Sequence, residues 1–208
     1  MITPSCDEIV KLAADYATIP VCREIYADMT TPIALLRRLQ EKSGRFFLLE
    51  SVEGGEKWAR YSFLGYDPIL RATCKNGTVT LEGMQNRTVQ TDKPLDVLRE
   101  VLAAYRAPRI EGMPPFTGGF VGYFAYAMLG YAEPRLSIKR GDWDDFDLLL
   151  FDKVIAYDHL KQKIVLVVNM RTDNVMENYG RACAELESMA ALVTGQSPLP
   201  PLKVMGKP

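Results

Sequence analysis

The feature that most constrains this chain is a pair of long β-rich runs, Asp147 to Tyr157 and Lys163 to Asn169, joined by the polar turn D-H-L-K-Q. A connection that short dictates an antiparallel hairpin, because a parallel return needs a crossover of about a dozen residues or more. A second hairpin is expected from Pro68 to Leu81, where Lys75-Asn76-Gly77 separates two β-rich segments. Asn-Gly is the strongest short turn signal, since both residues tolerate positive φ. Phe46 to Glu50 reads as a strand, with Tyr61 to Tyr66 as its antiparallel partner. Ile19 to Ala27 reads as an extended segment. Gly118 to Tyr126, G-G-F-V-G-Y-F-A-Y, reads as an aromatic strand whose glycines let another backbone come close.

Helices are expected between these runs. Asp7 to Tyr16 places Ile9, Leu12, Ala13 and Tyr16 on one face, with Asp7 and Glu8 at the positive end of the dipole. Thr31-Pro32 opens a second helix, Thr31 capping and Pro32 in the first turn, and Lys42 to Gly44 closes it. Pro94 to Tyr105 repeats the pattern with Asp92 placed as N-cap, and Val175 to Val193 is the last helix. Helices and hairpins alternate without the strand–helix–strand period of a parallel sheet. The expected class is therefore α+β, with mostly antiparallel sheet and flanking helices. Residues 1–194 form one domain in this reading. Residues 195–208, with their prolines and glycines, form a linker toward a further region.

Composition narrows the function. The 25 basic and 26 acidic residues nearly cancel, so no charge excess points to nucleic acid or an anionic membrane. The apolar runs are strand-sized, and the N-terminus lacks a basic stretch followed by an apolar one, so a cytoplasmic protein is expected. Four widely spaced cysteines and a single histidine argue against a Cys/His metal site and for free thiols.

The chemical candidates are few. His159 falls in the turn between the two long runs and reads as a solvated residue, with no Ser–His dyad expected. Asp142, Asp144, Asp145 and Asp147 cluster in G-D-W-D-D-F-D, read as a solvated loop. Thr117 to Gly122 lacks the Gly-Lys-Ser/Thr ending of a phosphate loop. The most informative stretch is Leu49-Glu50-Ser51, with Arg60 following. A zwitterionic ligand needs an anion and acceptors for its ammonium group, which Glu50 and Ser51 supply, and a cation for its carboxylate, which Arg60 supplies. The plain alternative, which pattern alone favours, is a strand end where Glu50 pairs with Arg60.

Four stretches change that balance: P-V-C-R-E-I-Y-A-D-M-T-T-P-I (20–33), L-L-E-S-V-E-G-G-E-K-W-A-R-Y-S-F-L-G (48–65), F-T-G-G-F-V-G-Y-F-A-Y (116–126) and L-L-L-F-D-K-V-I-A-Y-D-H-L-K-Q-K-I-V-L-V-V-N (148–169). In this order they resemble the N-terminal region of anthranilate synthase component I. Two positions depart from the family: Ala127 stands where Asp is often found, and Cys22 where an aromatic residue is frequent. The resemblance implies a lyase that turns chorismate and ammonia into anthranilate and pyruvate in tryptophan synthesis. The ammonia comes from glutamine through an amidotransferase subunit. L-tryptophan acts as feedback inhibitor at Leu49, Glu50 and Ser51, with Arg60 near a basic position of the family. Chorismate and Mg²⁺ belong, by the same resemblance, to a C-terminal catalytic domain. Residues 1–208 are therefore expected to hold no cofactor or catalytic residue and to be inert alone. The nearest alternatives are the related component of aminodeoxychorismate synthase and a free-standing amino-acid-binding module.

Overall fold

The structure is a computed structural model that describes residues 2–28, 30–50, 60–84, 86–133, 135, 136, 138 and 141–195. In chain order the elements are β1 (Ile2–Thr3), α1 (Cys6–Leu12), β2 (Thr18–Tyr26), α2 (Pro32–Lys42), β3 (Phe46–Leu49), β4 (Tyr61–Tyr66), β5 (Leu70–Lys75), β6 (Thr78–Gly83) and β7 (Arg87–Gln90). They continue with α3 (Pro94–Ala103), β8 (Gly119–Phe124), α4 (Leu129–Ala132), β9 (Phe146–Phe151), β10 (Lys153–Asp158), β11 (Lys163–Arg171) and α5 (Val175–Thr194). The strands make two sheets, ordered β1-β2-β11-β10-β4-β3 and β7-β6-β5-β9-β8. Every pairing among the described residues is antiparallel, in line with the mostly antiparallel α+β expectation.

The run Asp147 to Tyr157 is not one strand. It divides at Asp152 into β9, in the five-stranded sheet, and β10, in the six-stranded one. The run contains no proline or glycine, so nothing local marks the break. The cause is long-range. The backbone N–H of Asn169 donates to the Asp152 carbonyl at 2.7 Å, and its side-chain amide donates to the same carbonyl at 3.0 Å and to that of Thr117 at 2.6 Å.

Each sheet has its own helical cover. On β11, Ile164, Leu166, Val168 and Met170 face α1, α2 and α5 and pack with Ile9, Leu35, Leu39, Leu186 and Met189. The alternate residues Val165 and Val167 join Cys22, Ala156, Phe63 and Met113 on the opposite face. This is the two-residue period of a strand buried on both sides. The small Cys22 fits that layer, and burial, with Glu24 adding to it, pushes its thiol up to about 11. In the second sheet Leu70, Ala72, Leu81, Leu148 and Leu150 pack under Val97, Leu98 and Val101 of α3. Each of these leucines and valines contributes about 1.5–3 kcal/mol by leaving water. The layers meet on aromatic rings: Phe151 lies 4.7 Å from Phe47, and Phe116 packs edge-on against Phe47 and Phe63 at 6.3 and 5.5 Å.

Local signals account for several boundaries. Asn76 and Gly77 take φ of 51° and 79°, the two positive values a two-residue hairpin turn demands. Thr31 caps α2 by accepting from the Ala34 N–H at 3.2 Å. Other boundaries differ from expectation. The first helix begins after a Ser5–Glu8 capping box and stops at Leu12 rather than Tyr16. Its expected last turn is drawn elsewhere, since Ala17 and Thr18 donate to the Arg106 carbonyl and Thr172 Oγ1 donates to the Tyr16 carbonyl. Lys93, not Asp92, holds the N-cap position of α3, with no side-chain cap bond. The short β1, β7 and α4 have too little pattern to be read from sequence.

Candidate functional site

The β3–β4 register sets Leu49 opposite Phe63, so Glu50 leaves the sheet beside Ser62. Ser62 is buried, 1% exposed, yet it lies on the face that carries Leu64 and Tyr66 into the core. Its hydroxyl lies 3.4 Å from Glu50 Oε1 and 2.8 Å from His159 Nε2. The β4–β10 register brings this about by placing Ser62 opposite Tyr157. The His159 ring rests against Tyr157, with centroids 4.7 Å apart, and the His159 backbone N–H donates to the Arg60 carbonyl at 2.8 Å. Tyr157 in turn donates to the carbonyls of Ala27 and Thr30 at 3.3 Å, tying the β2–α2 loop to the group. Three strand ends and a loop thus converge on one carboxylate, one hydroxyl and one imidazole.

The expected Glu50–Arg60 pair does not form. Arg60 gives Nε (3.0 Å) and Nη2 (2.6 Å) to Asp158, because cross-strand pairing sets Tyr61 opposite Asp158 and brings Arg60 alongside. Asp158 is 3% exposed, and its Oδ1 also accepts from the Leu160 and Lys161 N–H groups at 3.1 and 3.0 Å. Burial pushes its carboxyl up, but the Arg60 guanidinium and these backbone donors outweigh that and hold it below the usual value. Arg60 also lies 4.8 Å over the Tyr61 ring. Of the residues singled out from sequence, Leu49 is exposed at the end of β3 and Glu50 is exposed just beyond it. Arg60 is half-buried, and Ser51 lies outside the described residues.

Two other expectations are corrected. His159 is a half-buried partner of Ser62 rather than a solvated turn residue, so a Ser–His contact does exist. The acidic cluster is not one solvated loop. Asp145 is 2% exposed and accepts from the Asn76 N–H at 2.9 Å and the Tyr131 hydroxyl at 2.6 Å, which anchors the hairpin turn. Asp147 forms a two-bond pair with Arg71 at 2.9 and 2.7 Å. Among the described residues no three His, Cys, Asp or Glu side chains converge as a metal site requires. Gly118 and Gly122 let backbone and side chains approach closely, as the strand reading expected, since a methyl on Gly122 would overlap the Asp147 carbonyl. No helix among the described residues is long and apolar enough to cross a membrane.

From sequence, Ser62 went unnoticed and His159 was set aside as a solvated turn residue. One signal pointed to Ser62: in Y-S-F-L-G-Y it is the polar residue on the alternate positions that bury Leu64 and Tyr66. A buried polar side chain needs a partner, and the partner marks a site or a structural tie.

No family model matches the chain. Similar curated proteins do exist. Anthranilate synthase component 1 of Acetivibrio thermocellus is 39% identical over 180 residues, covering 85% of this chain and 36% of that protein. The protein of the same name from Synechocystis is 34% identical over 210 residues, covering 97% of this chain and 41% of its own length. A crystal structure of anthranilate synthase component I from Streptococcus pneumoniae TIGR4 superposes with a TM-score of 0.49 at 25% identity, over 81% of this chain and 36% of that one. The chain is an antiparallel two-sheet α+β unit with a polar cluster where the ends of β3, β4 and β10 meet. By sequence it is similar to part of anthranilate synthase component 1 proteins. It spans about two-fifths of the length of the curated relatives it matches.

Proposed function

We propose that this chain is the regulatory region of an anthranilate synthase component I, and that L-tryptophan binds at the end of β3. In this reading the ammonium group of tryptophan meets the Glu50 carboxylate, with Leu49 and Ser51 beside it. The observation that carries the reading is Glu50 itself. It is an exposed carboxylate that among the described residues makes no ion pair, and a buried hydroxyl, itself in contact with an imidazole, lies beside it. An ammonium group offers three donors, and an ionised carboxylate free of an ion pair is a strong acceptor for them. Arg60 is the cation available for the ligand's carboxylate, and it would act while still bound to Asp158.

The whole protein, in the same proposal, converts chorismate and ammonia to anthranilate and pyruvate in the cytoplasm. A glutamine amidotransferase subunit supplies the ammonia. Chorismate binding and Mg²⁺ are assigned to the part of the relatives that this chain does not cover. Among the described residues no three His, Cys, Asp or Glu side chains converge to hold Mg²⁺. The chain alone would then bind tryptophan without catalysing anything, since feedback requires both coupled sites.

Calorimetric titration with L-tryptophan, with L-phenylalanine as control, tests the reading. Saturable tryptophan binding that weakens about tenfold or more in Glu50→Gln and Ser51→Ala supports it, the loss expected for one charge-assisted hydrogen bond. A folded chain that binds no tryptophan, joined by a full-length protein insensitive to it, overturns it. Chorismate turnover by these 208 residues would refute the inertness.

A further inference from the structure

We infer that His159 is a positioning residue for Glu50: acting through Ser62, it holds the carboxylate at the end of β3 in the orientation that receives a ligand's ammonium group. The inference deepens the proposed amino-acid site and rests on it for the identity of the ligand.

One hydroxyl proton sets the direction of two bonds. Ser62 has one hydroxyl proton and two neighbours, Glu50 Oε1 at 3.4 Å and His159 Nε2 at 2.8 Å. An ionised carboxylate only accepts, so the Ser62–Glu50 bond exists only with the hydroxyl proton turned to Glu50. The Ser62 oxygen is then an acceptor, and His159 must donate from Nε2. The chain of bonds runs from His159 Nε2–H to Ser62 Oγ–H to Glu50. Each bond polarises the next, which strengthens the hold on the carboxylate. The imidazole cannot easily turn away. Its ring rests on Tyr157, its backbone N–H is bonded to the Arg60 carbonyl, and its carbonyl accepts from the Gln162 amide at 2.7 Å. Beside it, by hydrogen bond or chain neighbourhood, stand Glu50 across Ser62, the Arg60–Asp158 pair and Lys161 in the same turn. That pair is closed on itself, so the uncompensated charge that His159 meets through Ser62 is Glu50.

The alternative is that His159 only satisfies a buried hydroxyl. The two differ in what the imidazole senses. Because His159 is the only histidine in the chain, its ring nitrogens give one unambiguous NMR signal set. The tautomer and ring-nitrogen signals of that ring are recorded in the wild type and in Glu50→Gln, without ligand. The expected result is a proton on Nε2 in the wild type and ring signals that move in Glu50→Gln. A proton on Nδ1 alone, or identical ring signals in the variant, overturns the inference.

Tryptophan titration supplies the second arm. His159→Gln places an amide N–H near the Nε2 position and is expected to bind within about threefold of the wild type. His159→Asn, whose amide falls short, and Ser62→Ala are expected to lose about tenfold, as for a lost charge-assisted bond. The His159 variants are compared by thermal melting, so a general loss of fold is separated from a loss of alignment. If His159→Asn binds like the wild type, the positioning role is refuted. If the wild type binds no tryptophan while its imidazole still senses Glu50, the alignment stands and the tryptophan assignment falls.

Discussion

Asn169 grips Asp152 twice, through its backbone N–H at 2.7 Å and its side-chain amide at 3.0 Å, and the same amide reaches the Thr117 carbonyl at 2.6 Å. One side chain therefore fixes the point where β9 gives way to β10 and the approach to β8. Asn169→Leu would leave the Thr117 carbonyl without its amide donor and the Asp152 carbonyl with the backbone N–H alone, and is expected to cost about 2 kcal/mol. Asn169→Asp should cost at least as much, because a carboxylate cannot donate. Urea unfolding measures this, with an unchanged m-value showing that the loss is one of stability.

Asp152 itself is expected to be a liability at neutral pH. Burial raises its carboxyl above the usual value, with Glu185 adding to this and Lys153 opposing it. Its Oδ1 finds no hydrogen-bond partner among the described residues. A raised folded pKa means that the folded state binds the proton more tightly than the unfolded chain does. Asp152 thus destabilises above its folded pKa, and the cost vanishes below the unfolded value of about 3.9. Asp152→Asn should be more stable than the wild type at pH 7, and the gap should close as the pH falls toward 3.9.

Asp158 carries the opposite sign. Its folded pKa is depressed, so its contribution is present above about pH 3.9 and is lost as the pH falls through the lower folded value. Arg60→Ala leaves this nearly buried carboxylate with only its backbone donors and should cost about 2 kcal/mol at pH 7. The penalty should shrink in acid as Asp158 takes up a proton. Chemical denaturation of both proteins at pH 7 and pH 3 checks the window.

Two glycines should respond in opposite directions. Gly180 lies exposed within α5, and a methyl there meets nothing, so Gly180→Ala should raise stability by about 0.5–1 kcal/mol. A methyl at Gly122 would overlap the Asp147 carbonyl across the β8–β9 pairing. Gly122→Ala should cost about 2 kcal/mol or more. Thermal melts of the two variants settle both.

What the sequence revealed follows the range of the interactions. The Asn76-Gly77 turn, the Thr31 cap with Pro32, and the pairing of Phe46–Leu49 with Tyr61–Tyr66 were legible, because each is set within one element or across a short connection. The break at Asp152 was not, because Asn169, 17 positions away, decides it. The same divide runs through the site. Glu50 stood out as a carboxylate closing an apolar run, whereas His159 lies 97 positions from Ser62 and only sheet register brings them together. Arg60 was read against the nearer carboxylate, and folding gave it the distant Asp158.

Strand β10 runs from the crease at Asp152 straight to His159. Six extended residues span about 20 Å and hardly compress. The strand acts as a strut, with one end in the polar cluster and the other in the seam between the two layers. A displacement of the His159 backbone along the strand axis would be shared with β11 and β4 through their ladders, and what reached Asp152 would bear on both sheets at once.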